Sequence, residues 1–338
     1  VPFDFQFAKS PSKFANVLDL SDFRYHNLPF EPLLAGSMNV LGAQTARMEV
    51  STVGAQLGMY ESNSREKSDI GSEKYVQLMN GLGFFAIYPT KIGLRLAGAF
   101  SQSDGSFKAE DSTSSEGGFK IKLKSQIIGV SVAGFLENGF GAAIRVSNFS
   151  EDLSGSYESG GRTFKMRSRD ATYSHIQPQL MLNKEFGEFV FSWDRRLDHE
   201  TAPKFGFYKL EYESRSAPMS GVLEVSRFRS SEGEGGNRDS WFLRGGVRHM
   251  FNDGQSNLKA LLAVNDAFYI EPVDADPFSV SQLGVHVSGE SVFSSNHLLS
   301  YGLAYGLGQG KGKTSRQIKT TLTQNSLALR AGYRLQLN

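Results

Sequence analysis

The stretch LLSYGLAYGLG, Leu298 to Gly308, decides the fold, because its large and small residues alternate strictly. From Leu299 to Leu307 every second residue is Leu or Tyr, and the residues between them are Ser, Gly or Ala. Successive side chains of a strand point to opposite faces, so a period of two predicts a strand with one large apolar face and one small face.

The overlapping stretch GLGQGKGKTS, Gly306 to Ser315, superficially resembles a phosphate-binding loop. That motif requires a glycine five positions before the Gly-Lys-Thr of residues 312–314, and Leu307 stands there instead. Leu307 is the last large residue of the alternating strand. The sequence therefore predicts a polar loop over 309–317 rather than a nucleotide site.

The same alternation recurs along the chain and predicts fourteen strands. Many of them exceed ten residues, whereas strands of soluble proteins usually have about five or six and a tilted strand needs about 9–11 residues to cross a bilayer. The predicted strands lie near 46–61, 74–88, 91–102, 118–136, 139–149, 163–183, 187–197, 205–214, 219–229, 239–251, 257–270, 279–293, 297–308 and 318–337.

The predicted connections alternate between short turns and long polar loops, which is typical of an outer-membrane barrel. The long loops are predicted at 62–73, 103–117, 150–162, 198–204, 230–238, 271–278 and 309–317. We therefore predict an all-β fold: a transmembrane, antiparallel, up-and-down β-barrel of about 14 strands (12–16) over residues 46–338. Short turns would face the periplasm and long loops the exterior.

Composition excludes several classes of function. The 36 basic and 35 acidic residues are balanced, so no basic face predicts nucleic-acid binding. Cysteine is absent, and the six histidines show no metal-ligand spacing, so we expect neither a metal nor a cofactor. No apolar run approaches the roughly 20 residues of a membrane helix.

The last strand carries a more specific pattern: Arg330, Gly332, Leu335 and Leu337 follow the order polar, glycine, hydrophobic, hydrophobic. This pattern resembles the C-terminal β-signal that the barrel-assembly machinery recognises, and the chain is similar to porin-type outer-membrane proteins. The resemblance implies a Gram-negative outer membrane, contact with its lipid, and removal of a signal peptide before VPFDFQF, Val1 to Phe7.

Two other resemblances lead to different functions. Fourteen strands after about 45 residues are similar to the long-chain fatty-acid transporters, in which the N-terminal segment plugs the lumen. Barrel character alone also resembles the porin-like oligomers of predatory bacteria. Residues 1–45 are therefore predicted to be a plug, an extra strand or an oligomer contact, and a homo-oligomer is expected.

Charged residues on the small or polar face of the strands predict the lumen, because charges facing hydrocarbon would cost about 2–4 kcal/mol each at the bilayer midplane. These charges would line an aqueous channel or staple a narrow lumen shut. The predicted pore-lining residues are Lys91, Arg95, Arg145, Asp194, Glu224, Arg244, Arg248, His286, Glu290, Arg330 and Arg334.

We expect a passive porin for small hydrophilic solutes, with mild anion preference because inward bases outnumber inward acids. The alternatives are a transporter of hydrophobic compounds with an N-terminal plug, or a structural, lipid-organising oligomer. His286 and Ser288 share one face of a strand and resemble the His-x-Ser of an outer-membrane phospholipase. No oriented third partner is evident, so we expect polar lumen residues and no enzyme.

Overall fold

The structure is a computed structural model of the chain. It describes residues 45–46, 48–69, 71–111, 118–136, 139–159, 162–196, 204–214, 216, 218–231, 238–251, 256–264, 279–313 and 319–337. Within these ranges no helix has the length and apolar content to cross a membrane, a finding that concerns helical spans alone. The predictions for residues 1–44, including the extra strand, lie outside the described residues.

Fourteen antiparallel strands form one closed barrel, in which every strand pairs with its neighbours in the chain and β1 pairs with β14. The prediction of an all-β, up-and-down barrel is confirmed. The strands are β1 (Thr52–Ser68), β2 (Gly71–Pro89), β3 (Arg95–Asp111), β4 (Gly118–Leu136), β5 (Phe140–Ser159), β6 (Arg162–Lys184), β7 (Gly187–Arg196), β8 (Lys204–Ser214), β9 (Met219–Ser231), β10 (Arg238–Phe251), β11 (Ser256–Val264), β12 (Ser279–Ser294), β13 (His297–Lys313) and β14 (Lys319–Gln336).

Several polar stretches that were predicted to be loops continue as paired strand. β1 and β2 remain paired as far as Ser68 and Gly71, and β5 and β6 as far as Ser159 and Arg162. Residues 309–313, predicted to begin the last long loop, lie in β13. Pairing satisfies the backbone whatever the side chains are, so the loss of apolar residues marks the end of the apolar belt rather than the end of the strand.

The outer surface shows that belt directly. On β4 the outward residues Ile128, Val130 and Val132 are exposed and apolar, whereas the outward positions farther along, at Lys120 to Lys124, carry lysines. Similar apolar residues occupy the outward positions of the neighbouring strands at the same level, among them Phe84, Ile144 and Leu180.

The closing ladder between β14 and β1 is continuous from Thr52↔Gln336 to Ser68↔Thr320. Gly54 is required in this ladder, because a Cβ atom there would lie 2.3 Å from Phe85 Cζ and 2.6 Å from the Tyr333 carbonyl oxygen. The amide of Leu337 donates to the Ser51 carbonyl at 2.8 Å, so the last residues of the chain are tied to the start of β1.

Candidate functional site: the inner wall of the barrel

The inner wall consists of alternate residues of each strand and includes most of the predicted pore-lining residues. Register places these residues on one face; for example, Glu224 pairs with Arg244, and Leu261 pairs with His286. All of the following side chains are buried: Arg145, Glu224, Arg244, Arg248, His286, Glu290, Arg330 and Arg334. Their role as the lining of a pore stays a prediction.

Three other predicted residues have different positions. Lys91 lies exposed in the turn between β2 and β3, so its placement on a strand is wrong; β3 begins only at Arg95. Arg95 lies next to this turn, at the short-turn end of the barrel. Its guanidinium donates to the carbonyl oxygens of Met48 and Gly93. Asp194 belongs to β7, and its side chain lies outside the described part.

Ion pairs join many of the charges of the inner wall, and they concentrate on β8–β14. Within β8, Lys209 Nζ lies 3.2 Å from Glu211 Oε2. The other pairs join different strands: Arg244 Nη1 to Glu224 Oε1 at 3.7 Å, Arg248 Nη1 to Glu213 Oε1 at 3.2 Å, and Arg334 Nη2 to Glu290 Oε1 at 2.7 Å. We call this charged part of the wall, on β8–β14, the ion-paired sector.

The Arg334–Glu290 pair crosses an intervening strand. Arg334 belongs to β14 and Glu290 to β12, and β13 places Ser300 between them, opposite both Glu290 and Gly332. A Cβ atom on Gly332 would lie 2.5 Å from Ser300 Oγ, so the glycine leaves the space that the serine fills. Small residues on β13 thus allow a long arginine to reach over the strand.

Sequence reasoning missed Glu213 and Lys259 as members of this wall. Lys259 is buried on β11, directly opposite Arg248 and Ser288. The stretch NLKALLAV, Asn257 to Val264, contained a usable signal, since Lys259 is the single charge in an otherwise apolar alternation. Glu213 gave a comparable signal, because in YKLEYES the charged Lys209, Glu211 and Glu213 alternate with Tyr208, Leu210 and Tyr212.

The part of the wall on β1–β4 is uncharged, and its inward positions combine apolar side chains with Ser, Thr and Gln. Over 52–64, 75–87, 97–109 and 121–133, all within the described ranges, the inward positions carry no charged side chain. The remaining inward positions there are small or neutral, such as Ala99, Ser101 and Gly129. We call this part the apolar sector; its large inward residues are Tyr60, Met79, Phe85, Ile87, Leu123 and Ile127.

Most of the charged side chains of the inner wall are buried. Charged residues of the wall such as Arg334 (0% exposed) and Lys259 (1%) are inaccessible to solvent. At the short-turn end the chain enters the barrel before β1, because Ala46 packs against Ala133, Ala143, Met181 and Val190 of β4–β7. The amide of Met48 donates to the Thr45 carbonyl at 2.9 Å and turns the chain toward β1.

The backbone pairing of β6 with β7 is interrupted in the middle of the two strands. Ile176 pairs with Arg195 and Gln179 with Ser192, and no pair joins Gln177 or Pro178 to β7. Proline has no N–H to donate and is normally restricted to strand edges or irregular positions. The wall therefore has a local gap in its hydrogen bonding at Pro178.

Comparison with solved structures shows a common fold. The chain is similar to the TodX deltaS2S3 mutant monoaromatic hydrocarbon channel, with a TM-score of 0.67, 9% identity, and coverage of 89% of this chain and 94% of that chain. For a Pseudomonas aeruginosa FadL homologue these values are 0.61, 10%, 94% and 96%. For the Ralstonia pickettii toluene transporter TbuX they are 0.57, 8%, 98% and 99%.

At these identities the likeness shows the architecture alone. It agrees with the resemblance to fourteen-stranded transporters and does not single out a porin-type protein. No protein-family model matches the chain, and no curated protein matches it.

Proposed function

We propose that the protein is a Gram-negative outer-membrane barrel that passes small hydrophobic compounds. The observation that carries this proposal is the apolar sector, which gives an uncharged inner surface from Tyr60 to Ile127 across four adjacent strands. Its large apolar side chains favour an apolar solute, which gains roughly 25 cal/mol for each Å² removed from water.

The fold supports the same proposal, because solved structures with this architecture include a monoaromatic hydrocarbon channel and a toluene transporter. The exposed apolar belt supports a position in a lipid bilayer. We propose that a compound leaves through the wall into the membrane near Pro178, where the ladder pairs of Gln177 and Pro178 with β7 are absent.

The segment before residue 45 is proposed to be a plug. Ala46 is buried between β4, β5, β6 and β7, so the chain that reaches β1 comes from inside the barrel. The ion-paired sector would then be structural, because its salt bridges join β9 to β10 and β12 to β14. Recognition of Arg330, Gly332, Leu335 and Leu337 by the assembly machinery stays a prediction.

A passive porin for hydrophilic solutes is the second candidate. The observation that favours it is the number of charged side chains on the inner wall of β8–β14. A porin also requires accessible lining, and the burial of that sector does not favour an open channel. Assembly into a lipid-organising homo-oligomer stays a third, untested prediction.

The test compares neighbouring isoleucines on opposite faces of β4. Ile127 is inward and 1% exposed, whereas Ile128 is outward and 59% exposed. In cells that depend on the protein for uptake of a labelled monoaromatic hydrocarbon, Ile127→Asn should reduce uptake about fivefold or more, since a buried amide without partners costs at least 1 kcal/mol. Ile128→Asn should leave uptake unchanged.

Equal uptake by both variants would overturn the proposal. So would rapid swelling of liposomes in sugar solutions, which would favour the porin.

The orientation of the barrel has its own test. Lys122→Cys, beyond the belt, should react with an impermeant maleimide on intact cells, and Lys91→Cys should react only after lysis. The reverse pattern would invert the barrel.

A further inference from the structure

Three lysines form a basic patch on the outer surface of β3 and β4. Lys108 on β3 lies directly opposite Lys120 on β4, and Lys122 follows Lys120 by two residues on the same face. All three side chains are exposed. Cβ atoms of directly opposite residues lie about 4.5–5.5 Å apart, and diagonal neighbours such as Lys108 and Lys122 lie about 7–8 Å apart. We call these three residues the basic patch.

The basic patch is electrostatically unfavourable without an anion. Like charges directly opposite each other on neighbouring strands destabilise a sheet, and Lys108 and Lys120 are such a pair. The other residues opposite the three lysines are uncharged. They are Val76 on β2, Ser106 on β3, and Ser154 and Ser156 on β5.

Lys124, the next lysine on the same face of β4, has a different environment. It lies opposite Asp104 on β3 and Asp152 on β5, so a carboxylate flanks it on each side. Opposite charges in facing positions stabilise a sheet. The protein therefore balances the charge of Lys124 with its own residues, whereas the basic patch keeps a positive charge that attracts an external anion.

The basic patch lies just beyond the apolar belt, on the side of the long loops. β4 begins at Gly118, two residues before Lys120, and its outward residues nearer the short turns are Ile128, Val130 and Val132. In the proposed orientation the patch faces the outer leaflet at the level of the lipid headgroups. The inference rests on that part of the proposed function and is independent of what the lumen transports.

We propose that the basic patch binds an outer-leaflet lipid whose headgroup carries phosphate monoesters. Such a phosphate bears about −1.5 to −2 charges at pH 7, which neighbouring ammonium groups balance. Lysine binds phosphate as a point charge, and the serine hydroxyls beside the patch supply further hydrogen-bond donors. A lipid is favoured over a soluble anion, because its acyl chains would lie along the apolar belt directly next to the patch.

A solvated charged rim is the competing explanation, since exposed lysines also keep a protein surface soluble. Glu110 follows Lys108 by two residues in β3, and a single carboxylate there balances at most one of the three lysines. A solvated rim attracts anions by its total charge, so every lysine at this level would then contribute equally. Lys124 is the matched control, because it belongs to the same face of the same strand.

The experiment is native mass spectrometry of the full-length protein in a neutral detergent. The probe is a bis-phosphorylated, acylated glucosamine disaccharide, compared with its dephosphorylated form, its deacylated form and phosphatidylglycerol, which is a phosphodiester. Lys120→Gln should weaken binding of the probe about fivefold, as expected for loss of one basic residue at a lipid surface. Lys124→Gln should have less than about a twofold effect, because the flanking aspartates already balance that charge. Lys120→Arg keeps the charge and should bind as the wild type does.

Four results would overturn the proposal. Unchanged binding in Lys120→Gln would show that the patch is not the site, and equal losses in Lys120→Gln and Lys124→Gln would indicate a solvated rim. Equal binding of phosphatidylglycerol would indicate a general attraction to anionic lipid, and equal binding of the deacylated disaccharide would indicate a site for soluble anions. Binding in detergent does not depend on which leaflet the patch faces, so the maleimide reaction of Lys122→Cys tests the orientation separately.

Stability gives a second measurement. Without the lipid, Lys120→Gln should not lower the midpoint of urea unfolding, because it removes the repulsion with Lys108. With the probe added, the midpoint of the wild type should rise more than that of the variant, since a ligand stabilises the state that binds it. A midpoint lowered in the absence of lipid would show that Lys120 stabilises the barrel itself, and would overturn the proposal.

Discussion

The apolar sector on β1–β4 and the ion-paired sector on β8–β14 fill the same barrel by different means. Met79, Phe85 and Ile127 are buried by van der Waals packing, which does not depend on one specific partner. Arg334 and Glu290 are buried as an ion pair, in which each charge is compensated by the other. A neutral wall can exchange its contacts for those of an apolar solute at little cost. A paired wall cannot, because separating buried charges leaves each without compensation.

Glu290→Gln should have the largest effect, because it leaves Arg334 charged and 0% exposed. Loss of one partner of a buried pair costs about 3–5 kcal/mol, so the midpoint of urea unfolding in detergent micelles should fall strongly. The double variant Glu290→Leu/Arg334→Met should recover most of the stability. Equal destabilisation of the single and double variants would remove the distinction between the two sectors.

Gly54→Ala tests the packing of the apolar sector and should cost about 1–3 kcal/mol of unfolding free energy, since overpacking forces neighbouring groups to move. The added Cβ would meet both the Phe85 ring and the Tyr333 carbonyl oxygen. Phe85→Leu should therefore rescue the variant only in part. Full rescue would show that the backbone at Tyr333 yields, and no rescue would show that the ring is irrelevant.

Met79→Leu should have a small effect, below about 1.5 kcal/mol, because it conserves volume within an apolar environment. Met79 packs closely against the backbone of Gly105, where an added Cβ would lie 3.1 Å from the Met79 Cγ. The measurement is the same urea titration. A loss of unfolding free energy as large as that of Glu290→Gln would mean that the apolar sector tolerates substitution no better than the ion-paired sector does.

Ion selectivity should show the smallest effect. After removal of residues 1–44, any conductance in a planar bilayer should favour anions only mildly, because Glu211, Glu213, Glu224 and Glu290 all pair with bases. Arg330→Gln should reduce that preference by a few millivolts of reversal potential at most, and less at high salt as the Debye length shortens to about 3 Å at 1 M. A strong cation preference would contradict the expectation.

Most of the fold was predictable because apolar and polar or small residues alternate clearly in strands such as β13 and β14. The stretch from Leu299 to Leu307 placed β13 correctly, and Arg330 and Arg334 fell on the inner face as their alternation requires. Lys91 failed for a local reason: the alternation around it continues through a turn, and no sequence signal marks Arg95 as the first paired residue of β3.

The two sectors could not be predicted, because they depend on contacts between distant parts of the chain. β2 is apolar on both faces at Phe84 and Phe85, so alternation could not tell lipid-facing from inward residues. The partner of Arg334 is even less predictable, since Glu290 lies two strands away around the barrel. Which residues are inward follows from periodicity, whereas which of them meet follows from register.

The hairpin of β5 and β6 determines which part of the barrel an antibody would reach on the cell surface. Beyond the belt its strands stay paired to Ser159 and Arg162, and on this side Tyr157 stacks on Phe164 with ring centroids 4.9 Å apart. Such a paired hairpin extends the barrel wall beyond the belt. An antibody epitope inserted between β5 and β6, at residues 160–161, would therefore be accessible beyond the lipid surface.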